Sequence, residues 1–336
     1  MKKWLYWVKM LIGVGLVWVL YQQMERRDAI VDAFRTTDWT NIVLCVVMLA
    51  PNMGLAFLKW RYLVTHRMSG VRNRDVAGSL FFGMTLGLVT PGRIGELGRG
   101  LFLEGRDPML LTGLTILDKL ANQIVIITLG WCSLAALGLG SANPVINGLW
   151  PLFLAGGVVI AAGWIVMLHP ALLRRMLVPL TARLKPESKW RSLPAALDHF
   201  RRRDSLIVLA LTITWFMVIT LQYHILVQAF TEVNLLQSFQ AVTATLFVKT
   251  LLPFTFGDLG IREGLAMAFY AAQGISEAAV FNASLLVFVI NFLTPALAGL
   301  YPLLRIRDRR AAADAMPGES LSLSPSVANG TSGSDD

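Results

Sequence analysis

Two stretches of the chain hold residues that could do chemistry. Thr90–Gly100 reads TPGRIGELGRG, and Leu252–Gly264 reads LPFTFGDLGIREG. In each, a proline ends a short apolar run, glycines follow, and an acid and an arginine stand close together. The first supplies Pro91, Gly92, Arg93, Gly95, Glu96 and Arg99, and the second Pro253, Gly257, Asp258, Gly260, Arg262 and Glu263. Glycines let backbones approach closely, and a helix start among them offers free N–H groups to a phosphate. Arg93, Arg99 and Arg262 can clasp a phosphate in bidentate fashion. Glu96, Asp258 and Glu263 can hold those arginines or bind a cationic headgroup. A purely structural reading stands beside this one: Glu96 with Arg99, and Arg262 with Glu263, would then be ion pairs that pin two turns at an interface. Asp118 and Lys119 form a further charged pair inside an apolar segment, with a binding role and a structural role both open.

Which reading holds depends on the solvent around these stretches. Hydrophobic residues make up 55% of the 336 residues and charged residues only 15%. Soluble domains carry about 25% charge, so the chain belongs to the membrane class. It has room for roughly seven to nine spans of about 20 residues. The net charge of +9 comes from Lys and Arg clustered between apolar runs. That is the pattern of cytoplasmic loops, and it argues against a nucleic-acid partner. Cys45 and Cys132 lie inside apolar runs and read as small core residues. The four histidines are scattered without ligand spacing, so no metal site is expected. No nucleotide loop accompanies them, nor any pairing of acids with a nucleophile, so neither a cofactor nor an enzyme is expected.

The elements that must position the two stretches follow in chain order. Trp4–Tyr21 is the first candidate span, its basic start suiting an uncleaved anchor. Gln22–Thr40 is a charge-balanced connector. Asn41–Leu58 is the second span, with Pro51 placed to kink it. Lys59–Asp75 then holds five Lys or Arg against one Asp, which makes it a cytoplasmic loop and the N-terminus cytoplasmic. Val76–Thr90 is apolar but only 15 residues long, short for a crossing. Apolar character resumes from Met109 to Leu139, Ser141–Gly148 is a charge-free outer turn, and Leu149–Leu168 is another span. His169–Asp204 has nine Lys or Arg against three acids. Leu172, Leu173, Leu177 and Leu180 recur there at helical spacing, as in an interfacial amphipathic helix. Ser205–Gln228 spans again, Ser238–Leu252 is a second short run, and Ala279–Leu304 leads back to a basic cluster. Residues 1–310 thus form one transmembrane domain. Residues 311–336, rich in Ser, Gly, Pro and Asp, are expected to be a disordered cytoplasmic tail.

A parity argument sharpens this layout. Val76 starts inside, and Leu120–Leu139 must run from inside to outside to reach the charge-free turn. Val76–Leu103 must therefore return to the side it left. Ser238–Gly264 must likewise return outside before the last inward span. The expected fold is all-α and polytopic, with two opposed re-entrant hairpins forming an inverted repeat. Short segments interrupted by Gly and Pro at matching places in two halves point to a transporter's binding site. Irregular backbone at membrane depth is tolerated only where protein buries it or it lines a wet cavity. Charges there cost roughly 2.5–3.5 kcal/mol each on insertion scales, so they face partners or a pathway.

At these two stretches the chain resembles the lysylphosphatidylglycerol synthase transmembrane-region family of flippase-like integral membrane proteins. The family's first motif, close to PGxxGE with a following Arg, is read at Pro91, Gly92, Arg93, Ile94, Gly95 and Glu96 with Arg99. Its second, roughly PxxxGxxGxRE, is read at Pro253, Gly257, Gly260, Arg262 and Glu263. Arg93 and Asp258 stand where glycine is common. The resemblance covers roughly Met1–Arg310. It implies a lipid translocase of the bacterial inner membrane, acting on an anionic or polyprenyl-linked lipid, or an accessory protein of envelope lipid synthesis. The tail expected over residues 311–336 is too short for the soluble aminoacyltransferase of synthase members, so a synthase is not expected. Two other roles stay open. The basic His169–Asp204 segment would recruit a cytoplasmic lipid-synthesis enzyme in an assembly protein, and Asp118 with Lys119 would be the coupling site of an ion-coupled small-solute carrier.

Overall fold

The computed structural model describes residues 37–90, 92–103, 105–139, 150–183, 189–251 and 260–301. The expected anchor Trp4–Tyr21, the turn Ser141–Gly148, the 311–336 tail, Pro91, Pro253, Gly257 and Asp258 lie outside the described residues. Those described are helical, without a strand. Helix α1 is Trp39–Val47 and α2 is Leu49–Arg67. Asp38 caps α1, its carboxylate accepting from Thr40 N at 2.9 Å. Pro51 has no N–H for the carbonyl four residues earlier, and the ladder breaks beside Val47, at Met48. The break thus falls within a turn of Pro51, the residue expected to kink the span. The continuation is a correction. Lys59 does not open a loop: α2 runs on through it to Arg67, because Trp60, Leu63 and Val64 continue the buried face.

After α2 comes α3, Asn73–Leu88, followed by a 3₁₀ helix over Ile94–Phe102. Helix α4 is Pro108–Leu139, α5 is Trp150–Leu168 and α6 is Pro170–Ala182. A second 3₁₀ helix covers Lys189–Leu197, and α7 covers Arg202–Gln228. Then follow α8, Leu235–Leu251, α9, Ile261–Ala271, and α10, Glu277–Phe288. One π turn, Val289–Leu293, joins α10 to α11, Thr294–Ala298. The expected last span Ala279–Leu304 is observed as one helical stretch over 277–298 that contains this π turn.

Five helical stretches are long and apolar enough to cross a membrane: 39–67, 108–138, 150–168, 202–228 and 277–298. Helix α5 stands at the periphery, with Leu152, Leu154, Val158 and Val159 exposed. On α6, the expected amphipathic helix, Leu173 and Leu177 face the core while Leu172 and Leu180 are exposed.

Two units of like order make up the core. The first is α2, α3, the 3₁₀ helix 94–102 and α4; the second is α7, α8, α9 and α10 with α11. In each, the two middle pieces pack against one another, and α2 packs on α7 between the units. The outer contacts are exchanged, α4 lying on α8 and α11 on α3. Both exchanged contacts are made at a glycine. A side chain at Gly130 of α4 would strike Phe247 and the Thr243 carbonyl; one at Gly299, just past α11, would strike Thr85 and the Phe81 carbonyl. Hydrogen bonds tie the same seams, Ser133 to Thr243 at 2.7 Å and Thr85 to the Ala296 carbonyl at 2.7 Å.

Candidate functional site

The first motif forms a tight reversal between α3 and the 3₁₀ helix. Gly92 and Arg93 both take positive φ, 59° and 56°. Glycine adopts this region freely, whereas a residue with a Cβ is held there at a cost of about 1–3 kcal/mol. Gly95 N donates to Thr90 Oγ1 at 2.7 Å and closes the turn. The 3₁₀ helix then runs back along α3 so closely that a methyl group at Gly83 or Gly87 would overlap Arg99 or Glu96. Bare backbone on α3 is what lets these two charged side chains lie against it.

Glu96 and Arg99 are 1% and 5% exposed, and they anchor a chain of ion pairs. Glu96 binds Arg93 at 2.6 Å, Arg99 at 3.0 Å and, by a short contact, Lys119. Arg99 turns its other terminal nitrogen to Asp118 at 3.0 Å. Asp118 in turn binds Lys59 at 2.8 Å, and Lys59 donates to Asn122 Oδ1 at 2.6 Å. Asp118 and Lys119, neighbours read as one pair, therefore separate. Successive positions on a helix point about 100° apart, so one meets α2 and the other meets Glu96.

Aromatic rings back the cations. Lys59 lies over Trp215 at 5.0 Å and Arg99 over Trp60 at 5.2 Å. Each such contact stabilises by roughly 0.5–2 kcal/mol, most where water is excluded.

The second motif is described from Gly260 onward. Gly260 has φ 84°, and its N–H donates to Glu263 Oε2 at 2.7 Å, capping α9. Glu263 also pairs with Arg262, and both are buried, at 0% and 1% exposed. Arg262 Nε donates to Ser284 at 3.4 Å.

One cavity of about 450 Å³ joins the two motifs; Arg93, Glu96 and Arg99 line it from one side and Arg262 from the other. Asp118, Lys119 and Gly92 are on its wall as well. Its volume suits a small-molecule or headgroup site. Arg93 and Arg262 lie over the same ring, Phe292, at 4.8 and 5.5 Å. Phe292 belongs to the π turn, a distortion frequent at functional sites. Beside it, Asn291 exchanges hydrogen bonds of 3.1 Å with Gln222, which also accepts from Asn52 at 2.7 Å. Arg93, Glu96, Arg99, Asp118, Lys119 and Arg262 are thus brought together, with Glu263 behind Arg262.

Lys59, Asn122, Trp215, Asn291 and Phe292 were not legible as part of this set. For Lys59 a signal existed: the apolar periodicity resumes immediately after it, which marks a charge inside a helix. The others look like ordinary residues of apolar segments.

The model of the lysylphosphatidylglycerol synthase TM region matches residues 6–299. The chain belongs to this family. As a member of the lysylphosphatidylglycerol synthase TM-region family it is a multi-pass α-helical membrane protein, and its apolar helices agree with that. No curated protein matches it.

Proposed function

We propose that the protein translocates a phospholipid or a polyprenyl-linked lipid between the leaflets of the bacterial inner membrane. The headgroup occupies the charged cavity while the chains stay in the bilayer. Support comes above all from one observation: arginines of two separate motifs, Arg93 and Arg262, line one cavity and lie on one ring. A charged headgroup crosses hydrocarbon only if something replaces its water, and fixed charges beside aromatic rings do so. The family's description names the membrane region of a lipid synthase, which favours a lipid as ligand.

In this reading the pairs α3 with 94–102 and α8 with α9 are re-entrant hairpins entering from opposite faces, and both termini are cytoplasmic. The 16 residues of α3 extend about 24 Å, less than the ~30 Å hydrocarbon thickness, which fits a segment that turns back.

The test is scrambling of fluorescent phospholipids in proteoliposomes, with Glu96→Ala and Arg262→Ala beside the wild type. Both variants should slow transfer strongly; wild-type rates in both would remove the site. A second reading, an ion-coupled carrier of a small solute, draws on the relay from Lys59 through Asp118 to Arg99. Uptake that follows an imposed proton gradient, with no lipid transfer, would favour it.

A further inference from the structure

The charges joined around the cavity do not cancel. Lys59, Arg93, Arg99 and Lys119 bring four positive charges to two carboxylates, Glu96 and Asp118, leaving +2 among the described residues of the cluster. Arg262 and Glu263 cancel one another. Lys249, on the wall outside this ion-paired cluster, adds a further positive charge to the described lining.

The excess is not spread evenly. Lys59, Arg99, Glu96 and Asp118 are each at most 5% exposed. Arg93 and Lys119 line the cavity with side chains 28% and 32% exposed. Glu96 is already shared among three cations, so it neutralises neither of them fully. An excess of positive charge lining a cleft draws an anion into it. The rest of the wall matters as well. Met53, Met84, Ile126, Phe216 and Ile219 give the cavity an apolar side that a free inorganic ion does not need.

We infer that the cavity takes a doubly charged phosphate, a phosphomonoester or the terminal group of a diphosphate carried on a lipid, with Arg93 and Lys119 as its ligands. A phosphomonoester carries close to two negative charges at neutral pH. A phosphodiester such as phosphatidylglycerol carries one, and a zwitterionic headgroup has no net charge. The inference narrows the substrate of the translocase reading and rests on it for the lipid carrier.

Equilibrium binding to the full chain in phosphatidylcholine nanodiscs tests this, read by the change in intrinsic tryptophan fluorescence, to which Trp60 and Trp215 beside the cluster contribute. The probes are dioctanoyl phosphatidic acid, dioctanoyl phosphatidylglycerol and inorganic phosphate, at about pH 8 where the monoester is doubly charged. Phosphatidic acid is expected to bind at least about tenfold more tightly than phosphatidylglycerol, since one more charge meets the cluster. Inorganic phosphate is expected to bind at least about tenfold more weakly than phosphatidic acid, for want of the apolar contacts. In Lys119→Gln the preference for phosphatidic acid should fall to about threefold or less. Equal binding of the two lipids by the wild-type protein overturns the doubly charged class. A full preference retained in Lys119→Gln overturns the assignment of Lys119, and inorganic phosphate binding as tightly as phosphatidic acid overturns the lipid carrier. The wild-type comparison needs no variant to fold. Loss of leaflet transfer with this binding order intact would sink the translocase and spare the headgroup assignment; a flat order with intact transfer would do the reverse.

Discussion

Arg93 and Arg262 come from the two halves of the chain and lie over one ring, with guanidinium carbons 4.8 and 5.5 Å from the centre of Phe292. Like charges so close repel unless their surroundings stabilise each one. Glu96 does so for Arg93, Glu263 for Arg262, and the ring's negative face serves both. Replacing Phe292 with Leu keeps an apolar side chain and removes the π face. Lipid transfer should fall by about tenfold, equivalent to roughly 1.4 kcal/mol, within the range of two such contacts. Stability should change by less than about 1.5 kcal/mol. A scrambling assay paired with thermal unfolding checks both, and wild-type transfer would show that the shared ring is incidental.

Arg93 gives a separate prediction from its backbone. At φ 56° a residue with a Cβ is strained and glycine is not. Arg93→Gly and Arg93→Ala both lose the Glu96 ion pair and the Phe292 contact, so the difference between them isolates the strain. The glycine variant should be the more stable by about 1 kcal/mol despite the greater freedom of its unfolded chain. Transfer should be impaired in both. Chemical denaturation in micelles decides the order, and alanine equal to or above glycine would end the strain argument.

The pair Lys59 and Asp118 links α2 to α4 at 2.8 Å in a buried setting. Removing one partner leaves the other charge poorly compensated. Lys59→Gln should destabilise by about 3–5 kcal/mol. Adding Asp118→Asn to it should be far from additive, recovering about 1 kcal/mol or more, although Arg99 then loses a partner too. A double-mutant cycle on thermal unfolding measures the coupling. Strict additivity would mean that the two charges do not feel each other.

The helical, membrane-spanning class and the two motifs were determined by the sequence itself, for local reasons. Composition sets the solvent, and an apolar run of 20 residues has few options in a bilayer except a helix. Pro51 broke its ladder within a turn of itself, and Gly92 and Gly260 marked backbone that turns with positive φ. The short apolar runs read at Val76–Thr90 and Ser238–Leu252 are observed as the helices α3 and α8.

Charge partners were a different matter. Asp118 and Lys119 are adjacent in sequence, yet one reaches Lys59 and Arg99 and the other Glu96. Lys59 counted as loop until the packing of α2 against α4 and α7 enclosed it. Phe292 had no signature at all; it matters because a π turn brings its ring within reach of two arginines from distant segments. Helix formation is decided over a few residues, so pattern reveals it. Which charges meet depends on how helices far apart in sequence cross and rotate, and only the tertiary structure decided that.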